Sequence, residues 1–210
     1  GMHGQALADF EQGLAYHPNS PGMWNGLGDA LRGTGDTESA LEAYGRALKL
    51  NPRSGIAYNN IGSILASAGE RDAALAAFQK AVTYRPDLPA AHANMSVLHR
   101  LTGDADQATL SALKALSLDP NHLEALNALS NAYVSDGRFS DAVEAFTHAI
   151  AVDSSQAEIY FNLGQVFEQR GDLGNAISSY EAFFRLWNGR EGHGIESLSR
   201  RLERLKAQHE

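Results

Sequence analysis

At 210 residues the chain is long enough for one or two compact domains, and its 25 acidic against 17 basic residues give a formal net charge of −8. That balance argues against non-specific nucleic-acid binding, which needs a basic footprint; the densest local one is Arg200, Arg201, Arg204 and Lys206. There is no cysteine, so disulfides and thiolate metal sites are excluded, and no stretch approaches a membrane span or a signal peptide, which favours a soluble, cytoplasmic chain.

Residues 4 to 17 read as a single helix with Ala6, Phe10, Gly13 and Leu14 on its apolar side. From Ser20 a helix pair follows. Ser20 suits an N-cap and Pro21 the first helical position, where its missing N–H costs nothing. Trp24, Leu27, Gly28 and Leu31 share one face, and Gly33 and Gly35 end the helix. Asp36 and Thr37 can cap the next helix, with Ala40, Leu41, Tyr44, Ala47 and Leu48 as its apolar face and Asn51-Pro52 as its stop. The same pattern predicts helices over 21–33, 37–50, 55–67, 71–84, 89–101, 105–118, 123–135, 139–152, 157–169 and 173–187. The segment Asn188 to Gly194 reads as a flexible connector. A final amphipathic helix then sets Ile195, Leu198, Leu202 and Leu205 against a charged face.

The pairs repeat every 34 residues. Stepping from Gly35 gives Gly69, Gly103, Gly137 and Gly171; from Ala40, Ala74, Ala108, Ala142 and Ala176; from Tyr44, Phe78, Ala112, Phe146 and Tyr180. Such a period marks stacked units, none able to bury its apolar face alone. Gly28 should let its helix approach Ala40 while Tyr44 fills the space beside them. Ser96 and Ser130 replace that glycine in later units, where slightly wider spacing is expected. At the start, Phe10 and Leu14 would lack a packing neighbour, which predicts either further units upstream or a self-associating edge.

The motif Trp24-x2-Leu27-Gly28-x2-Leu31 followed by Gly35, Ala40, Tyr44, Ala47 and Pro52 resembles the tetratricopeptide repeat. The resemblance implies an all-α, right-handed α-solenoid of stacked antiparallel helix pairs. A half repeat covers 1–20, full repeats cover 21–54, 55–88, 89–122, 123–156 and 157–190, and a connector with a capping helix covers 191–210. It also implies a non-catalytic scaffold for a protein or peptide partner. The docking region of a larger enzyme and a self-assembly module acting through the N-terminal half repeat remain as alternatives.

In a helix-pair solenoid the first helix of each unit lines the inner wall. The candidate partner-binding residues there are Asn25, Asp29, Arg32, Asn59, Asn60, Asn94, Arg100, Asn127, Asn131, Asn162 and Gln165. Asparagine forms helices poorly, so its clustering needs a reason. A row of amides can pair with the N–H and C=O of an extended peptide, or the amides can bond to one another, to neighbouring turns or to water. Asn60, Asn94 and Asn162 are similar to the asparagine row of the O-linked N-acetylglucosamine transferases, interrupted here at Gly26 and Ala128. The carboxylate clamp that grips chaperone tails is not matched: Ala90 and Asn94 stand where it needs basic groups. Arg32 and Arg100 lie early on the wall and Glu124, Glu158 and Glu168 late, which suits a peptide of mixed charge.

No cofactor or metal is expected. His92 and His99 are two helical turns apart and occupy packing places held elsewhere by Tyr58 and Leu65. No Ser/His/Asp set, phosphate loop or close carboxylate pair suggests catalysis.

Overall fold

A computed structural model of the chain describes residues 2–187 and 193–209. All regular structure among them is helical: α1 (Met2–Tyr16), α2 (Pro21–Thr34), α3 (Thr37–Leu50), α4 (Gly55–Ser67), α5 (Arg71–Tyr84), α6 (Pro89–Leu101), α7 (Ala105–Leu118), α8 (Leu123–Ser135), α9 (Phe139–Val152), α10 (Ala157–Gln169), α11 (Leu173–Leu186) and α12 (His193–His209). Each helix packs on the next in sequence, so the chain is an all-α solenoid of adjacent helix pairs.

The turns inside each unit share one mechanism. Gly35, Gly69, Gly103, Gly137 and Gly171 all lie at φ between +71° and +87°, where a side chain would be strained. The next residue's N–H then reaches back across the turn, as Asp36 N does to Leu31 O at 3.0 Å. Side chains close the other ends: the Ser20 hydroxyl accepts from Met23 N, and the Asp36 carboxylate from Ser39 N at 3.1 Å.

Aromatic rings lock the pairs. Tyr44 lies so close over Gly28 that a Cβ there would fall 2.5 Å from the ring; Phe78 covers Gly62 and Tyr180 covers Gly164 in the same way. The third unit departs from this scheme. Ser96 faces a position where Ala112 has replaced the ring, and both are fully buried. In this unit the expected loosening does not occur: α6 and α7 pack as closely as the glycine-bearing pairs, and α6 also lies along α8, whereas α8 and α9 of the Ser130 unit pack less closely. Loss of the ring makes room for the added hydroxyl, and Ala93, Ala125 and Ala132 let the two first helices approach. Ser130, opposite Phe146, satisfies its hydroxyl on Leu126 O at 2.7 Å.

The ends differ from the sequence reading in two respects. Leu14 is buried with Leu27 and Ala43, and the Phe10 ring folds onto Gly26, so neither is left bare. Tyr16 is the bare residue, 75% exposed. At the other end α12 begins at His193, while the connector at 188–192 lies outside the described residues. Leu198, Leu202 and Leu205 bury against Tyr180 and Phe183. Phe183 stands where earlier units carry Ala47, Ala81, Ala115 and Ala149. It stacks on Trp187 at 5.2 Å and closes the array with a thick aromatic layer that α12 covers.

Candidate functional site

The helices α2, α4 and α6 each touch the first helix of the next unit, whereas the second helices of successive units stay apart. The fourth and fifth first helices, α8 and α10, lack a comparable contact. The candidate residues on the first helices fall into three groups.

The first group is a chain of hydrogen bonds through three units. The Tyr44 hydroxyl donates to Asp29 Oδ1 at 2.7 Å, and Asn60 Nδ2 of the next unit donates to the same oxygen at 2.9 Å. Asn59 Nδ2 donates to Asn60 Oδ1 at 3.4 Å. Asn94 Nδ2, one unit further, donates to Asn59 Oδ1 at 3.0 Å and to Ser63 Oγ at 3.3 Å. Asn59 is buried between first helices, out of reach of a ligand. Much of this asparagine cluster thus stitches neighbouring units together, as the amide-to-amide alternative requires. The buried phenol of Tyr44 has its pKa raised, first by desolvation and then by the bond to Asp29, with Arg32 beside it acting in the opposite direction.

The second group pairs locally. Asn25 Nδ2 reaches Ser54 Oγ at 3.4 Å, while its Oδ1 is buried without a partner among the described residues. Asn131 Nδ2 turns back along its own helix to Asn127 O and Oδ1, at 2.9 and 3.1 Å.

The third group keeps open polar atoms. Asn162 and Gln165 make no side-chain hydrogen bond among the described residues, and neither contributes a buried orphan atom, so their amides reach solvent. Asn94 Oδ1 is open by the same test. Arg32 and Arg100 make no ion pair among the described residues. Glu168 is occupied at the far end: it accepts from the Tyr180 hydroxyl at 2.9 Å and from Arg201 Nε of α12, also at 2.9 Å.

One signal for these bonds was present in the sequence and missed. The units with tyrosine at the ring position, Tyr44 and Tyr180, carry a carboxylate on their own first helix, Asp29 or Glu168. The units with Phe78 and Phe146 carry Ser63 and Ala66, or Asn131 and Val134, at those places. A phenol proton needs an acceptor in a buried site and a phenyl ring does not.

His92 is a packing residue. Its Nε2 lies 3.1 Å from Pro86 O, repeating the bond from Trp24 Nε1 to Pro18 O at 2.8 Å two units earlier. Among the described residues no group of three His, Asp or Glu side chains could hold a metal ion, and no helix is long and apolar enough to cross a membrane.

A tetratricopeptide repeat model matches residues 3–38, 28–89, 61–122 and 127–190. No curated protein sequence matches the chain. Among solved structures it is similar to the APC/C hetero-tetramer Cut9-Hcn1, with a TM-score of 0.88 and 17% identity over 96% of this chain. It spans only 40% of that protein's chain. It is similar also to TTC0263, a thermophilic protein of Thermus thermophilus (TM-score 0.71, 20% identity, 90% of this chain and 100% of that one). YrrB, described as a TPR protein with an unusual peptide-binding site, matches with a TM-score of 0.62 and 16% identity over 86% of this chain and 93% of its own. At such identities the likeness is one of fold. The family model, matching most of the sequence in the register of the observed helix pairs, makes this chain a member of the tetratricopeptide repeat family.

Proposed function

We propose that the chain is a non-catalytic interaction scaffold that holds an extended segment of a partner protein along its inner wall. The observation that carries this reading is the set of polar atoms left open there: Asn94 Oδ1 and the amides of Asn162 and Gln165. An amide offers both a donor and an acceptor, which is what a peptide backbone needs at each residue. The interlocked chain from Tyr44 to Ser63 fixes the spacing of the first three units, so the wall is formed before a ligand arrives and binding costs little ordering of the scaffold. YrrB, of similar fold, is described as having an unusual peptide-binding site, which supports peptide binding as a use of this fold.

The test is selection of binders from a random-peptide display library on the whole chain. Val97, on the inner wall and 38% exposed, is then replaced by Trp to fill the groove. Selected peptides should lose tenfold or more in affinity, about 1.4 kcal/mol, while the melting temperature holds. Undiminished binding to the Val97→Trp protein would overturn the groove reading.

A further inference from the structure

Two arginines of the first helices, Arg32 and Arg100, have no carboxylate partner among the described residues. Among the described residues, Arg100 and Arg201 are the half-buried arginines. Arg201 is held by Glu168 at 2.9 Å, but Arg100 makes no ion pair and no side-chain hydrogen bond. A guanidinium carries five N–H donors, and withdrawing it partly from water without an acceptor is unfavourable. Exposed apolar side chains flank it on the same helix: Val97 at 38% and Leu101 at 43%. Arg32 occupies the same register two units earlier and lines a cleft of about 350 Å³ with Ser63, Ile64 and Ser67 on its far side.

Intrachain explanations for the two charges are incomplete. A helix C-terminus favours a cation, yet Ala66 and Val134 hold this register in α4 and α8, so the dipole does not require one. Arg32 lies against the Tyr44 hydroxyl, and Asp29, one turn before it, spends Oδ1 on Tyr44 and Asn60 and forms no ion pair with it, so most of the five guanidinium donors stay open.

We propose that the segment held in the groove is acidic and apolar. One carboxylate side chain pairs with Arg32 in the cleft, a second pairs with Arg100, and an apolar side chain between them covers Val97 and Leu101. This assignment rests on the groove reading above and specifies its ligand. The spacing follows from the architecture. Packed helices lie about 8–10 Å apart, so two steps along the wall are about 20 Å. An extended chain rises about 3.3 Å per residue, which places the two acids about six residues apart. The chain's own charge of −8 repels acidic peptides in general, so attraction depends on meeting both arginines at once.

The experiment uses fluorescent peptides of one composition, containing leucine, valine and two glutamates in a serine-glycine background. The glutamate spacing runs from adjacent to about ten residues. Anisotropy titration against the whole chain should show tightest binding near a spacing of about six. Arg32→Gln and Arg100→Gln should each weaken the best peptide about fivefold and flatten the dependence on spacing, with unchanged melting by circular dichroism. Replacing the glutamate that meets Arg100 by lysine should restore binding to the Arg100→Glu protein. Binding that ignores spacing, or ignores both arginine variants, overturns the assignment and leaves the groove reading intact. No binding at any spacing also overturns it; the groove itself then stands or falls with the Val97→Trp result on display-selected peptides.

Discussion

The Tyr44 hydroxyl sits 2.7 Å from Asp29 Oδ1, and the same relationship returns at the far end of the array between Tyr180 and Glu168 at 2.9 Å. In both cases burial and the carboxylate bond raise the phenol's pKa above its ordinary value. The unfolded chain loses these protons near pH 10, while the folded chain keeps them. The stabilising contribution is therefore complete below about pH 10 and is lost as pH rises toward the folded values. Thermal melting should show stability falling above about pH 10 with a proton deficit approaching one for each phenol. The Tyr44→Phe, Tyr180→Phe protein should show a flatter alkaline limb; an unchanged limb would place the sensitivity elsewhere.

Asn59 is the central amide of the inter-unit chain, buried with its donor on Asn60 and its acceptor taken by Asn94. Asn59→Ala takes one partner from each neighbour and leaves a void between the first helices, and should cost about 1–3 kcal/mol in urea unfolding. Asn162→Ala breaks no bond within the described residues and should stay within about 0.5 kcal/mol. If the groove reading is right, Asn162→Ala weakens peptide affinity without touching stability. Equal destabilisation by the two would show that the amide chain does not couple the units.

Ser96 is fully buried and its hydroxyl has no partner among the described residues. Ser96→Ala removes the unsatisfied group at little change of shape and should stabilise the protein by up to about 1 kcal/mol. Ser130→Ala, which deletes a bond to Leu126 O, should not. Calorimetry of the two variants separates them, and a loss on Ser96→Ala would mean that the hydroxyl is satisfied.

Gly28 has the Tyr44 ring 2.5 Å from where its Cβ would stand. Gly28→Ala gains helix propensity but must displace a ring that the Asp29 bond holds in place, and overpacking of this kind costs about 1–3 kcal/mol. Gly22→Ala, with nothing within 4 Å of its Cβ, gains the propensity alone and should be neutral or stabilising. Chemical denaturation of both checks the sign.

Most of the architecture was legible before any coordinates. The apolar period, the glycine at each left-handed turn and the proline that follows Asn51, Arg85 and Asp119 act over a few residues, so local sequence specifies them. That is why the observed helices α2–α11 end within a residue of the predicted ones. The ring-over-glycine pairing was also readable, because Gly28 and Tyr44 recur together as Gly62 and Phe78 and as Gly164 and Tyr180.

What only the tertiary structure decided is which polar groups use one another up. Asn59 and Asn94 are 35 residues apart, and their bond depends on how closely one first helix lies on the next, a distance set by small residues and rings across two units. The same holds for Phe10 against Gly26 and for Arg201 against Glu168. Sequence periodicity determined which side chains share one register on the first helices. Hydrogen bonds act only over about 3 Å, so the packing decided which of them are already paired and which remain open to a partner.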